Sequence, residues 1–305
     1  MSDQVPKEPS TVTFLPTLYC SRRCVYCNVR TSPQPEDDAI PLKRLEKVFG
    51  ELRGLGVEVV RMSGGDPFAR KDLFDVIEIA IEEDLLPDLP AKLGLSYYEV
   101  LRLQNLGVRS VQVDLDSADP TIADRMAGLK GYHARVFRVL DSLRRTGLSV
   151  RVRTVLTPLN APTAGRLLDF LATLGNVASV TLSACDGSRI CPREDLALSR
   201  SDREMATAQV RDRVSLYPQM KIVLDLSAAP DLPPAMEDIR EDEKRFVILP
   251  DGRVTVCEEH YDNPAFLIGD LRRPSAGGVW AGGAGCCCWG GVYPLPGGGK
   301  PRPYF

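Results

Sequence analysis

The chain has 305 residues, 44% hydrophobic and 26% charged, enough for a full core in two domains or in one large barrel with an appendage. Its 38 basic and 41 acidic residues leave a net charge of −3, which excludes an overall basic surface for nucleic acid. No apolar stretch approaches the ~20 residues that span a bilayer, and the polar Met1–Ser10 is no secretory signal. A cytoplasmic chain with no membrane and no nucleic-acid partner is expected.

In chain order, Thr11–Leu15 reads as a short strand. Pro41–Leu55 reads as a helix, with Leu42, Leu45, Val48, Phe49 and Leu52 on one face. Val57–Met62 is β-rich and runs into Ser63-Gly64-Gly65. Asp72–Leu86 has helical spacing, and a weak third strand lies near Leu89–Leu93. Ser96 opens a helix to Leu106, with Glu99 completing a capping box. Val108–Leu115 is the fourth strand. A helix carrying Val136, Val139, Leu140 and Leu143 ends at Gly147. Leu148–Leu156, a helix over Ala164–Leu174 and the strand Val177–Leu182 complete six βα units. Such a succession implies a parallel sheet with right-handed crossovers. Six units fall short of the eight of a closed barrel, so the expected architecture is an open, partial barrel. Chemistry then belongs at the carboxyl ends of the strands.

The expected organisation is an arm over 1–10, the partial barrel over 11–217, a small module over 218–273 and an irregular tail over 274–305. Lys221–Leu226 reads as a last strand, and the acidic Pro230–Lys244 as a connection. Arg245–Pro250 and Arg253–Cys257 form a hairpin around Asp251-Gly252. Residues 274–299 hold no charged residue and no periodic pattern. The barrel should therefore survive truncation near Leu271.

The nine cysteines carry the chemistry. An odd number without a signal peptide argues against a disulfide framework and for metal ligation. Cys20, Cys24 and Cys27 lie within eight residues after the first strand. Thiolates suit zinc or an iron–sulfur cluster. A structural zinc site wants four ligands, and the next cysteine is far along the chain. Three ligands on a cubane leave one iron open to a substrate or cofactor; a zinc knuckle completed by a remote residue is the alternative.

Cys20-x-x-x-Cys24-x-x-Cys27 with Tyr26 before the last cysteine, Gly64-Gly65-Asp66-Pro67 after strand two, Val113-Asp114-Leu115-Asp116 closing strand four, and the later Asn160 together resemble the radical S-adenosylmethionine (SAM) superfamily. The resemblance implies a (β/α)6 partial barrel of the TIM type. It implies a [4Fe-4S] cluster on Cys20, Cys24 and Cys27, with the methionyl group of SAM on the fourth iron. One-electron reduction would yield methionine and a 5′-deoxyadenosyl radical, which abstracts hydrogen from the substrate. It further implies that Gly64 and Gly65 let the backbone approach the methionyl amine, and that Asp66, where glutamate is usual, accepts from it. Tyr26 would lie along the adenine and Asp114, often serine in the family, by the ribose. Arg135 would hold the methionyl carboxylate; an exposed helix arginine is the alternative reading. Phe246–Cys257, Ile268–Leu271 and Trp280 resemble the SPASM or twitch extension. Cys257 is a ligand candidate there, but the cysteine spacing, including adjacent Cys286, Cys287 and Cys288, does not favour an auxiliary cluster.

Cys185 and Cys191 flank a loop after strand six that faces the substrate in a barrel. Each could ligate a cluster or return a hydrogen atom to a substrate radical; ordinary loop thiols are the alternative. The Arg22-Arg23 pair either tunes the cluster or is solvated. The extension implies an oxidoreductase that matures a ribosomal peptide. With ten residues ahead of strand one, a separate leader-peptide-binding protein is expected, along with a reducing partner such as flavodoxin or ferredoxin. The alternatives are a sugar or aminocyclitol dehydrogenase or epimerase, and a non-catalytic iron–sulfur or zinc protein.

Overall fold

The computed structural model describes residues 11–27, 39–185, 193–226, 246–255, 261, 264 and 267–272. Among these the elements alternate strand and helix. The order is β1 (Thr11–Thr17), α1 (Leu42–Gly54), β2 (Val59–Gly64), α2 (Leu73–Glu82), β3 (Leu86–Asp88), β4 (Pro90–Ala91), α3 (Tyr97–Asn105) and β5 (Ser110–Asp114). Then come α4 (Pro120–Ala127), α5 (Tyr132–Thr146), β6 (Ser149–Leu156), α6 (Ala164–Ala172), β7 (Val177–Ala184), α7 (Arg200–Val214), β8 (Lys221–Asp225), β9 (Val247–Ile248), β10 (Arg253–Thr255) and β11 (Leu267–Asp270).

One sheet runs β11-β10-β9-β1-β2-β3 and the other β4-β5-β6-β7-β8. They are joined at the third strand, which is split at Leu89. Its first half pairs with β2 and its second with β5, both in parallel. Pro87 and Pro90 explain the split, since each removes a ladder donor. This strand starts three residues earlier than the sequence reading placed it. The preceding helix stops at Glu82, because Asp84 adopts φ +57° and ends the right-handed turn. After the six βα units, β8 adds a further parallel strand against β7. The result is the mixed α/β open barrel that the motif order implied.

The helices lie outside. Leu45, Val48, Phe49 and Leu52 of α1, and Val136, Val139, Leu140 and Leu143 of α5, are fully buried against the sheet. Ser96 and Glu99 form the expected capping box on α3. The hairpin forms around Pro250-Asp251-Gly252. Gly252 takes φ +86°, and the Arg253 N–H donates to the Asp251 side chain at 3.0 Å. Its first strand, β9, is laid in parallel against β1, with Thr13 opposite Val247. The module thereby covers the sheet edge beside the cysteine loop. No helix among the described residues is long and apolar enough to cross a membrane. Cys191, Cys257, Trp280, the Pro230–Lys244 connection and the tail over 274–305 lie outside the described residues.

Candidate active site

The loop after β1 carries Cys20, Cys24 and Cys27 as free thiols; the first two are partly buried and the third is exposed. Two elements hold its backbone. On one side Gly65 N–H donates to the Thr17 carbonyl at 2.9 Å and Asp66 N–H to that of Tyr19 at 2.7 Å. On the other, Arg23 N–H and Val25 N–H donate to the last carbonyls of α4, Ala127 at 3.0 Å and Met126 at 2.9 Å. Those carbonyls have no intrahelical partner, so the loop caps the helix while the helix fixes the loop.

Three glycines make this close approach feasible. A Cβ on Gly64 (φ +84°) would stand 2.8 Å from the Thr17 carbonyl oxygen. One on Gly65 would stand 2.0 Å from that of Tyr19, and one on Gly128 (φ +59°) 2.1 Å from that of Arg23. The sequence reading assigned Gly64 and Gly65 to contact with the methionyl amine. What a Cβ there meets first is the cysteine loop itself. Gly65→Ala should therefore cost at least the ~1–3 kcal/mol typical of overpacking, because the collision is with backbone. Thermal unfolding and iron content after reconstitution should both fall; a wild-type melt and full iron loading would contradict this placement.

Asp66 is buried and its Oδ1 accepts from Phe68 N–H at 3.2 Å, capping a short 3-10 turn. Burial raises its carboxyl, with Lys92 and Arg22 opposing. Lys92, at the end of the split third strand, donates to the Gly64 carbonyl at 2.8 Å. No motif marks it, and only the curvature of the sheet brings it to the site.

Beneath the loop lies a polar network. Arg22 is 5% exposed. Its guanidinium donates to Asp114 Oδ2 at 2.8 Å and to the Tyr132 hydroxyl at 2.8 Å. Tyr132 in turn donates to the Asp114 carbonyl. Gln112 donates to Asp114 Oδ1 at 3.1 Å. Burial alone would raise the Asp114 carboxyl, but Arg22 chiefly, with Lys92 and Arg153, holds it below the ordinary value. The alternative of a solvated arginine pair thus fails for Arg22, which is a buried counter-ion joining the cysteine loop to the end of β5. Burial pushes the Cys24 thiol up to about 12, so at neutral pH it needs a metal to hold it as thiolate.

Tyr26 donates to Asp116 Oδ2 at 3.0 Å, and Val155 N–H donates to Asp116 Oδ1 at 2.9 Å. Asn160 uses its whole amide. Its NH2 bonds the Asp116 and Val155 carbonyls, both at 2.8 Å, and its oxygen accepts from Thr157 N–H at 2.8 Å. It clamps the ends of β5 and β6 together. Burial pushes the Asp116 carboxyl up to about 6, partly offset by the Val155 N–H. Between the ordinary value of 3.8 and about 6 the folded chain binds more protons than the unfolded one. Stability contributed below that window is lost as pH rises through it. Asp116→Asn should flatten this slope in denaturant unfolding of the iron-free chain from about pH 4 to about pH 7; an unchanged slope would contradict the assignment.

Arg135 is not brought to this network. It lines an outer groove of about 760 Å³ between the start of α3 and α5, with Tyr97, Arg138 and Arg145. Cys185 directly follows β7, beside Tyr26, Val155 and Leu159, and is 1% exposed. Its sulfur is in a disulfide, so hydrogen-atom donation from it requires prior reduction. The reading of the cysteines as metal ligands does not extend to it.

The site can therefore offer three unpaired thiols on one backbone-anchored loop, with Gly64–Asp66 and Tyr26 alongside. Among the described residues no three His, Cys, Asp or Glu side chains converge on a single ion; a cubane takes its thiolates on separate irons, and the donor set fits it. The family model described as the radical SAM superfamily matches residues 14–171. A PqqA peptide cyclase of Methylocella silvestris is 26% identical over 270 residues, covering 87% of this chain and 72% of that protein. One of Rhodopseudomonas palustris is 31% identical over 149 residues, 48% of this chain and 40% of that protein. A GTP 3',8-cyclase of Nautilia profundicola is 33% identical over 149 residues, 46% of this chain and 45% of that protein. Among solved structures, Streptococcus suis SuiB bound to SAM superposes with a TM-score of 0.72 at 16% identity, over 90% of this chain and 66% of SuiB. AdoMet-bound anSMEcpe gives 0.65 at 14%, over 89% of this chain and 80% of that one. The chain thus spans about two thirds of SuiB and less than half of the R. palustris relative. The structural likenesses carry the barrel, and the family model covers the loop, the Gly-Gly-Asp turn and the β5 end that the geometry brings together: the chain belongs to the radical SAM superfamily.

Proposed function

We propose that the chain is a radical SAM maturase of a ribosomally made peptide. The observation that carries the reading is the anchored three-thiol loop in a chain 87% and 92% of which aligns with relatives named PqqA peptide cyclase. The solved structure of SuiB with its precursor peptide SuiA, a fold neighbour with a TM-score of 0.71, is in keeping with it. When bound, the [4Fe-4S] cluster and SAM supply a 5′-deoxyadenosyl radical that takes a hydrogen atom from a substrate carbon. The chain's own residues hold and orient the cofactors. Cys20, Cys24 and Cys27 ligate the cluster, and Gly64, Gly65 and Asp66 receive the methionyl amine. Tyr26 borders the adenine, fixed by Asp116, and Asp114, already committed to Arg22, borders the ribose. Arg135 would reach the methionyl carboxylate only by leaving its groove. Cys191 and Cys257 stay as candidate hydrogen donor and auxiliary ligand. A flavodoxin- or ferredoxin-type reductant and a separate leader-binding protein complete the scheme.

The GTP 3',8-cyclase match supports a second reading, a small-molecule enzyme, over 46% of the chain. The two are separated by incubating reduced, cluster-loaded protein and SAM with short peptides encoded beside its gene. A peptide product lighter by two hydrogens, formed with 5′-deoxyadenosine, supports the maturase. Modification of a sugar or nucleotide, with every peptide unchanged, would overturn it.

A further inference from the structure

The cysteine loop carries a fixed positive charge inside the protein. Arg22 stands two residues from both Cys20 and Cys24 and is 5% exposed, whereas its neighbour Arg23 is exposed. Its guanidinium is immobilised from two sides. Nη1 donates to the Tyr132 hydroxyl and Nη2 to Asp114 Oδ2, each at 2.8 Å, and its central carbon lies 5.3 Å from the centre of the Tyr132 ring. Nε is left over: it is buried and makes no hydrogen bond. Arg70 Nη1, Arg151 Nε and Asn176 Oδ1 are unpaired in the same way among the described residues, but none of them belongs to the loop. Native structures rarely bury a charged donor without an acceptor, and a functional role is one recurrent reason for the exceptions.

Asp114 does not cancel this charge where the thiols stand. Burial disfavours the Cys24 thiolate, and Arg22 is the strongest charge acting on it, in its favour; Asp116 and Asp114 oppose more weakly. Asp114 is also stabilised by Lys92 and Arg153, so its negative charge is divided among three cations. Three thiolates on an oxidised [4Fe-4S] core of charge 2+ sum to one negative charge, and one added electron makes two. A buried cation nearby stabilises the second state more than the first, and does so strongly because charges interact more strongly away from water. Net charge and hydrogen bonds to the sulfurs are among the factors that set such potentials.

We propose that Arg22 raises the reduction potential of the cluster on Cys20, Cys24 and Cys27, its charge favouring the reduced state and its Nε–H serving as donor to a cluster or cysteine sulfur. The step is a one-electron reduction without a proton: the electron comes from an external low-potential donor and stays on the cluster. Asp114 pulls the other way and limits the rise. This rests on the three cysteines holding the cluster, and not on the identity of the substrate.

The test is potentiometry of reconstituted protein without SAM, so that a role of Asp114 at the ribose does not enter. The cluster is titrated anaerobically with dithionite and viologen mediators, and its reduced state is followed by electron paramagnetic resonance, scaled to the iron bound. Arg22→Leu is expected to lower the ratio of reduced to oxidised cluster at a fixed potential about tenfold, a downward shift of about 59 mV for one electron. Arg22→Lys should keep the larger part of the wild-type potential, and Asp114→Ser should move it upward. Arg22→Leu combined with Asp114→Ser removes both charges of the buried pair and should fall between the wild type and Arg22→Leu. If Arg22→Leu alone does not fold, the double variant and Arg22→Lys decide the matter. A purely structural role would leave every folded, cluster-loaded variant at the wild-type potential. A wild-type potential in the double variant, an upward shift on losing Arg22, or a fall in Arg22→Lys as large as in the double variant overturns the proposal. So does loss of iron from folded Arg22→Lys and double variants, which would make Arg22 a requirement of assembly instead. Wild-type protein that loads no iron sinks the cluster reading itself; a loaded cluster indifferent to residue 22 sinks this inference alone.

Discussion

Replacing Cys20, Cys24 and Cys27 together by alanine should take anaerobically reconstituted protein from about four irons per chain to almost none. The three thiols are the free cysteines among the described residues, and they stand on one loop held by four backbone hydrogen bonds. Those bonds do not involve the sulfurs, so the loop and the barrel should persist without the cluster, and the far-ultraviolet circular dichroism should be unchanged. Cys24 should be the most sensitive single position. It is partly buried, so a solvent ligand cannot readily take the place of its sulfur. Exposed Cys27 can exchange with solvent ligands, and its alanine variant should retain part of the iron. Four irons retained by the triple variant would mean that the cluster sits elsewhere, with Cys191, Cys257 and Cys286–Cys288 the remaining candidates.

The second large effect concerns Arg22 and Asp114. Removing one partner of a buried ion pair costs about 3–5 kcal/mol, because the other charge is left desolvated. Arg22→Leu strands the Asp114 carboxylate, and Asp114→Ser strands a guanidinium whose Nε already has no hydrogen-bond partner. Each single variant should melt well below the wild type. The double variant, with the serine that the family often carries at this position, should recover most of the loss, since replacing a buried pair by apolar or neutral groups is often close to neutral. A coupling of about 2 kcal/mol or more in denaturant unfolding is expected. Additive losses would show that the two residues act independently, against the 2.8 Å contact.

The same pair shows where the sequence stops being legible. Arg22 and Arg23 are neighbours in the chain and read alike. One is buried and the other exposed because Asp114, 92 positions on, reaches the first. Nothing local encodes that. The strands, the capping box and the cysteine spacing were legible because each is set by period, side-chain capping or a short motif. Two helices were not. In α7 only Ala206 and Val210 are buried and charges surround them, so no apolar stripe marks it. Its one signal is Ser199 with Asp202, which form a capping box. The eight-residue α4 buries only Ala123, Met126 and Ala127, yet its ends were marked, by Asp119-Pro120 at the start and Gly128 at the stop. Missing α4 also meant missing how the cysteine loop is held, because its last carbonyls receive that loop. The Gly-Gly pair was found as a motif, but its steric reason lies in Thr17 and Tyr19, which only the folded backbone brings near.

The central claim is tested most directly by reducing the cluster-loaded protein anaerobically with dithionite in the presence of SAM, and measuring 5′-deoxyadenosine and methionine by chromatography. Slow, equimolar formation of both without any substrate is the expected result. It should vanish in the Cys20, Cys24 and Cys27 triple variant and weaken in Asp66→Ala by about the 1.5–3 kcal/mol of one charged hydrogen bond. Protein holding its four irons that binds SAM and yields no 5′-deoxyadenosine under any reductant would contradict the account.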